Sequence, residues 1–200
     1  MYFYRFWRTF LGFFGRLIHR IKIVGANNVP AEGAVVIASS HVNAIDPMLL
    51  AYCLKRDIRF IAKKELFKNP IVGGVLTHLG AFPVDRDKAD RAAVTRSLEV
   101  LREGGALLVF PEGTRSKTGE LGSFKPGAAM FAIETGAPVV PATIISSGSL
   151  KPFKPTTVVF GEPIPASELG AKPASKAVLH SATERIREAV VSLQNAEYIR

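Results

Sequence analysis

The residues of this chain that could do chemistry begin with a histidine and an aspartate five apart. They are His41 and Asp46, in the stretch ASSHVNAIDPMLL at positions 38–50. A histidine works as a proton acceptor near neutral pH when a carboxylate on its other ring nitrogen fixes the tautomer. The pair therefore has the makings of a general base and its orienting acid. The same letters carry a structural reading, since Asp46-Pro47 is also how a helix starts, with Asp as N-cap and Pro in the first turn. Both readings can hold together, because a carboxylate at a helix start can face a histidine. No G-x-S-x-G elbow occurs in the sequence, so a serine-hydrolase reading lacks its signature. Cys53 lies in an apolar stretch where packing is its expected role. With no protein nucleophile in view, the base would act directly on a substrate hydroxyl, in a single-step transfer.

A second group surrounds PEGTRS at 111–116, immediately after the apolar run ALLVF. Gly113 permits close backbone approach, Thr114 and Ser116 offer hydroxyls, and Arg115 can grip a phosphate with two parallel hydrogen bonds. Lys63 and Lys64 follow another apolar run, RFIA, and Arg86 follows GAFPVD. Singly, each cation reads as a solvated turn residue. Together they suit a small phosphorylated substrate better than a long nucleic-acid track.

What must position these residues is an alternation of apolar runs and helical periods after Pro30. Segments 33–40, 58–63, 80–85, 106–111, 138–145 and 156–161 read as strands by their branched apolar residues. Segments 46–55, 65–79, 88–105, 125–136 and 175–194 read as helices, the second of them broken by Pro70. Strands that are continuously apolar and alternate with helices argue for an α/β fold with a largely parallel central sheet flanked by helices. In such a sheet functional residues gather beyond the carboxyl ends of the strands. His41, Lys63, Arg86 and the 111–116 loop all fall there.

The first 22 residues have a different character. Eight of the chain's 18 aromatic residues fall within the first 14 positions. Wound as a helix, Arg5, Arg8, Arg16 and His19 line one stripe, while Phe3, Phe6, Trp7, Phe10, Phe14 and Leu17 fill the opposite face. No uncharged run approaches the roughly 18 residues a spanning helix needs. A basic stripe opposite an aromatic face is the composition of a helix lying in the headgroup layer, so residues 1–22 are expected to form an amphipathic membrane-interface helix. Residues 23–200 would then be one domain, since 200 residues suffice for a single sizeable core. A net charge of +9 implies an anionic partner. The segregation of basic from aromatic residues favours a membrane surface over nucleic acid, which would want them interleaved. One cysteine excludes an intrachain disulfide and a cysteine-based metal cluster, and fits a reducing compartment.

These blocks, taken in order, resemble the glycerolipid acyltransferases. His41-Val-Asn-Ala-Ile-Asp46 is similar to the family's His-x-x-x-x-Asp motif, GAFPVDR (80–86) to its second block, FPEGTRS (110–116) to its third and APVVPATI (137–144) to its fourth. FIAKKEL (60–66) resembles a further lysine-bearing segment. The resemblance runs from about residue 20 to the C-terminus and is closest to the bacterial 1-acylglycerol-3-phosphate acyltransferases. It implies a glycerol-3-phosphate acyltransferase-like fold and an enzyme of phospholipid biosynthesis that makes phosphatidic acid from lysophosphatidic acid. The acyl donor would be acyl-carrier protein or acyl-CoA. His41 would remove the proton of the sn-2 hydroxyl, with Asp46 orienting it. Arg115 would bind the acceptor phosphate with Lys63 and Arg86, and Glu112, Gly113 and Thr114 would complete that site. The resemblance implies no metal and no cofactor, and a peripheral or monotopic place on the cytoplasmic face of the cell membrane. An acyltransferase of the same fold with another acceptor (glycerol-3-phosphate, another lysophospholipid or an aminoacyl-lipid), a lipid hydrolase with His41 activating water, and a silent membrane-binding protein are the competing readings.

Overall fold

The computed structural model describes residues 21–85, 90–116, 121–146 and 155–196. Residues 1–20 and Arg86 lie outside them. One seven-stranded sheet organises the chain, in the order β1-β7-β6-β2-β5-β3-β4. Its strands are β1 (Ile21–Val24), β2 (Val35–Ser39), β3 (Ile58–Lys63), β4 (Ala81–Val84), β5 (Ala106–Val109), β6 (Val139–Ser146) and β7 (Thr156–Phe160). Five strands, β2 to β6, run parallel. The pairing of β6 with β7 is antiparallel and that of β7 with β1 parallel, so the last two strands reverse the sheet at one edge.

The helices are α1 (Asp46–Cys53), α2 (Pro70–His78), α3 (Arg91–Arg102), α4 (Gly127–Thr135), α5 (Ala166–Leu169) and α6 (Lys176–Asn195), with short 3-10 turns at Ala26–Asn28 and Lys64–Lys68. The expected helix 65–79 divides at Pro70. Asn69, held extended before the proline, uses its side chain to accept from Ile71 N–H at 3.0 Å and Val72 N–H at 3.2 Å. A residue preceding proline disfavours the helical region, so the chain stops and restarts there. Asp90 caps α3 and Ser175 caps α6 in the same way. The N-terminal segment ends earlier than its periodicity suggests. Ile21 and Lys22, assigned above to the end of that helix, stand in β1 and pair with Thr156 and Thr157.

Why the strands read as unbroken apolar runs is clear from β2, where every residue is buried. Val35 and Ile37 pack with Leu50, Leu54 and Leu76 of the α1/α2 layer. Val36 and Ala38 pack with Val100, Ala132 and Ile186 of the α3/α4/α6 layer. Each such side chain contributes roughly 1.5–3 kcal/mol relative to exposure. A strand covered on both faces is dominated by apolar side chains, with Ser39 as the one polar residue of β2.

Between α2 and β4 the chain turns through Gly80 at φ +88°, and a Cβ there would lie 2.5 Å from the Ile58 carbonyl oxygen. Both the left-handed backbone and the close approach require glycine. Gly80→Ala is expected to lower stability by about 1–3 kcal/mol, read as a lower urea midpoint with an unchanged m-value.

Candidate active site

The connections around β2 place the site. From β2 the chain passes through α1 on one face of the sheet, whereas from β5, the adjacent strand, it passes through α4 on the other face. Where neighbouring parallel strands send their connections to opposite faces, a crevice opens beyond their carboxyl ends. His41 follows β2 and the 110–116 loop follows β5, so both enter that crevice. Ala38 pairs with Val109, which brings the two exits side by side.

His41 is held from every direction. Its ring stacks on Phe110 with centroids 4.1 Å apart and planes inclined by 24°. The His41 backbone N–H donates to Glu112 Oε1 at 3.1 Å, and its carbonyl accepts from Ser116 N–H at 2.8 Å. The 110–116 loop and the histidine are thus latched together at both ends of the loop. His41 Nδ1 lies 2.9 Å from Asp46 Oδ2. That oxygen also accepts from Val42 N–H at 2.8 Å and Asn43 N–H at 2.7 Å. An ionised carboxylate only accepts, so Nδ1 carries the proton and Nε2 keeps its lone pair.

Asp46 answers the question its sequence context leaves open. It is the first residue of α1, with Pro47 next, but α1 has no side-chain cap. The carboxylate turns back to the amides of the preceding loop and to His41, instead of capping its own helix. It is fully buried, and its Oδ1 has no hydrogen-bond partner among the described residues. All its donors converge on the oxygen that faces the imidazole.

Lys63, Lys64 and Arg115 lie at the same end of the sheet. Lys63 ends β3 and is exposed, with Glu65 at 3.7 Å. In strand order it is two spacings from β2, about 10 Å. Lys64 pairs instead with Asp85. Thr114 and Arg115 are exposed on the latched loop. Glu112 spends both carboxylate oxygens within the chain, the second accepting from Gly122 N–H at 3.0 Å. Its place is that of a brace between His41 and the segment leading to α4.

One residue that the motifs do not single out also reaches this loop. Gly113 has φ +74°, and a Cβ on it would come within 3.0 Å of Lys125 Cε and Nζ. The glycine makes room for that lysine, whose backbone N–H donates to the Pro111 carbonyl at 2.9 Å. The signal was available as FKPG at 124–127, a cation directly before a helix. Lys125 also lines a cavity of about 290 Å³ between the sheet, α3 and α4. Ile61, Val84, Val94, Phe110 and Phe131 form much of its wall. Phe110 therefore touches both the cavity and the imidazole. Among the described residues, no three His, Cys, Asp or Glu side chains gather as a metal set. No described helix is long and apolar enough to cross a membrane.

The sequence profile described as Acyltransferase matches residues 20–145. The 1-acyl-sn-glycerol-3-phosphate acyltransferase of Bacillus subtilis is 34% identical over 179 residues, 88% of each protein. A chloroplastic protein of the same name from Arabidopsis thaliana is 36% identical over 137 residues. Those residues are 67% of this chain and 38% of the plant protein, so the chain spans well under half of that relative's length. The crystal structure of a 1-acyl-sn-glycerophosphate (LPA) acyltransferase from Thermotoga maritima superposes with a TM-score of 0.65 at 27% identity, covering 88% of this chain and 73% of that one.

Proposed function

The chain belongs to the acyltransferase family, and from that premise we propose that it moves a fatty acyl group from a thioester to the sn-2 hydroxyl of 1-acylglycerol-3-phosphate, giving phosphatidic acid. The observation that carries this reading is the His41–Asp46 contact, which leaves Nε2 as the available base beside a cation-bearing loop. Nε2 takes the hydroxyl proton as the oxygen attacks the thioester carbonyl. The tetrahedral intermediate then expels the thiolate, and the imidazolium returns its proton to that sulfur. One C–O bond forms, one C–S bond breaks, and the free thiol leaves. Asp46 stabilises the imidazolium between the two steps. No covalent enzyme intermediate is required.

The acceptor phosphate is assigned to Arg115 and Lys63, with Lys125 near the same loop, Arg86 as a further expected partner outside the described residues, and Gly113 and Thr114 shaping the loop. Glu112 acts by holding that loop against His41. The apolar cavity behind Phe110 takes acyl chain. The donor is acyl-carrier protein or acyl-CoA, both of which present negative charge to a basic surface. The N-terminal segment lies on the membrane, on the cytoplasmic side where those donors are found.

Arg115→Ala tests the phosphate assignment. Losing a charge-assisted pair is expected to raise the KM for lysophosphatidic acid about tenfold or more, with the KM for the thioester unchanged. Initial rates on lysophosphatidic acid, glycerol-3-phosphate and monoacylglycerol check it. A mutant that loses affinity for all three alike, including the uncharged acceptor, would remove the phosphate role from Arg115.

A further inference from the structure

α2 is apolar on both of its sides. Gly73 and Leu76 face inward, and Gly73 approaches Phe67 so closely that a Cβ would lie 3.0 Å from the Phe67 backbone. That contact fixes which side of the helix is buried. The other side presents Ile71 at 77% exposure and Val75 at 50%, with Val72 beside them and Leu66 at 47% from the preceding 3-10 turn. Ile71 and Val75 are four apart and so share one stripe. An apolar helix face of this kind calls for a second apolar medium.

Two observations identify that medium. The first is charge. Lys63, Lys64 and Lys68 border the patch and are all exposed; Glu65 and Asp85 face the first two, which leaves the border net positive within a chain of net charge +9. Lysine is depleted at protein–protein interfaces, whereas a lysine border around aliphatic residues suits anionic headgroups above an acyl layer. The second is place. The 3-10 turn begins where β3 ends, at the same end of the sheet as His41. β1 runs against the parallel strands, and Ile21 pairs with Thr156, which pairs with Ser146 at the end of β6. The chain before residue 21 therefore leaves from that end too. β1 and β3 stand five strand spacings apart, about 24 Å, with β2 and His41 between them.

We propose that Leu66, Ile71, Val72 and Val75 form a membrane-inserting surface of the domain itself, in contact with an anionic bilayer, on the opposite flank of the active site from Ile21, where the N-terminal segment joins the sheet. Held on that flank, the crevice at the carboxyl ends faces the headgroup layer. This goes beyond the proposed reaction and rests on it only in expecting a lipid acceptor.

The test labels the full chain with an environment-sensitive fluorophore at Ile71→Cys and adds phosphatidylglycerol/phosphatidylcholine vesicles without any thioester. Cys53 is buried, with its thiol pushed up to about 12, so it leaves position 71 as the reactive site. The expected result is a blue shift on adding vesicles and quenching by nitroxide groups carried in the acyl region. In unlabelled protein, Ile71→Asp with Val75→Asp should raise the lipid concentration for half-binding roughly tenfold, while transfer in detergent micelles is kept. A label already blue-shifted without lipid and unmoved by it would put residues 1–20 or a second copy over the patch and overturn the proposal. A label that stays solvent-exposed on bound protein would overturn it as well. Because binding is read without turnover, failure of the acyltransferase reading would show only in the micelle assay.

Discussion

His41→Ala is expected to lower kcat by about 10²–10⁴-fold, the usual worth of general-base help, while leaving the thermal midpoint and vesicle binding near those of the wild type. The ring is largely buried against Phe110, so its removal leaves a small void. The two backbone hydrogen bonds that latch the 110–116 loop belong to the peptide unit and survive the substitution. That separation makes the result readable. KM for both substrates should change little under the proposed roles, in which the histidine acts on the reacting hydroxyl and the phosphate is held elsewhere. Steady-state rates on lysophosphatidic acid, paired with a melting curve, check both halves.

Asp46 should show two distinct losses, depending on what replaces it. Asp46→Asn keeps the volume and an acceptor oxygen for the Val42 and Asn43 amides, but removes the negative charge proposed to stabilise the imidazolium. A fall in kcat of about 10²–10⁴-fold with near-normal stability is expected. Asp46→Ala removes the acceptor as well. Three donors converge on the buried Oδ2, the His41 ring N–H from a buried side chain and the Val42 and Asn43 amides from half-buried positions, and a buried donor left without a partner costs about 1–3 kcal/mol. The alanine variant should therefore lose stability as well as activity. Urea unfolding of the two variants separates the roles: equal unfolding midpoints would show that the backbone amides do not depend on Asp46.

The fold was legible where local pattern and tertiary position agree. β5 is apolar at every position and β2 at all but its last residue, Ser39, because both faces are covered, and the helices between them keep their period. β1 was not legible, because IKIV continues the helical stripe of the residues before it. What makes it a strand is pairing with β7, more than 130 residues away in the chain. The division at Pro70 was visible as a break, but the cap by Asn69 was not anticipated.

The site divides along the same line. His41, Asp46, Lys63 and Arg115 announce themselves by type and by following strands. The role of Asp46 could not be chosen from Asp-Pro, since a helix start and a histidine partner look alike until the carboxylate is seen to turn toward residues 41–43. Glu112 stands in a recognisable motif, yet its work as a brace depends on His41 N–H, 71 positions earlier. Lys125 was passed over because it belongs to no strand end. Only its contact with Gly113 joins it to the loop.

The most direct measurement uses purified wild-type and His41→Ala protein in detergent, with labelled acyl-CoA or acyl-carrier protein, and lysophosphatidic acid present or withheld. The account predicts labelled phosphatidic acid from the wild type only when acceptor is present, and at most a hundredth of that rate from His41→Ala. Free fatty acid released equally without acceptor, or a His41→Ala enzyme that keeps most of its transfer rate, would contradict it.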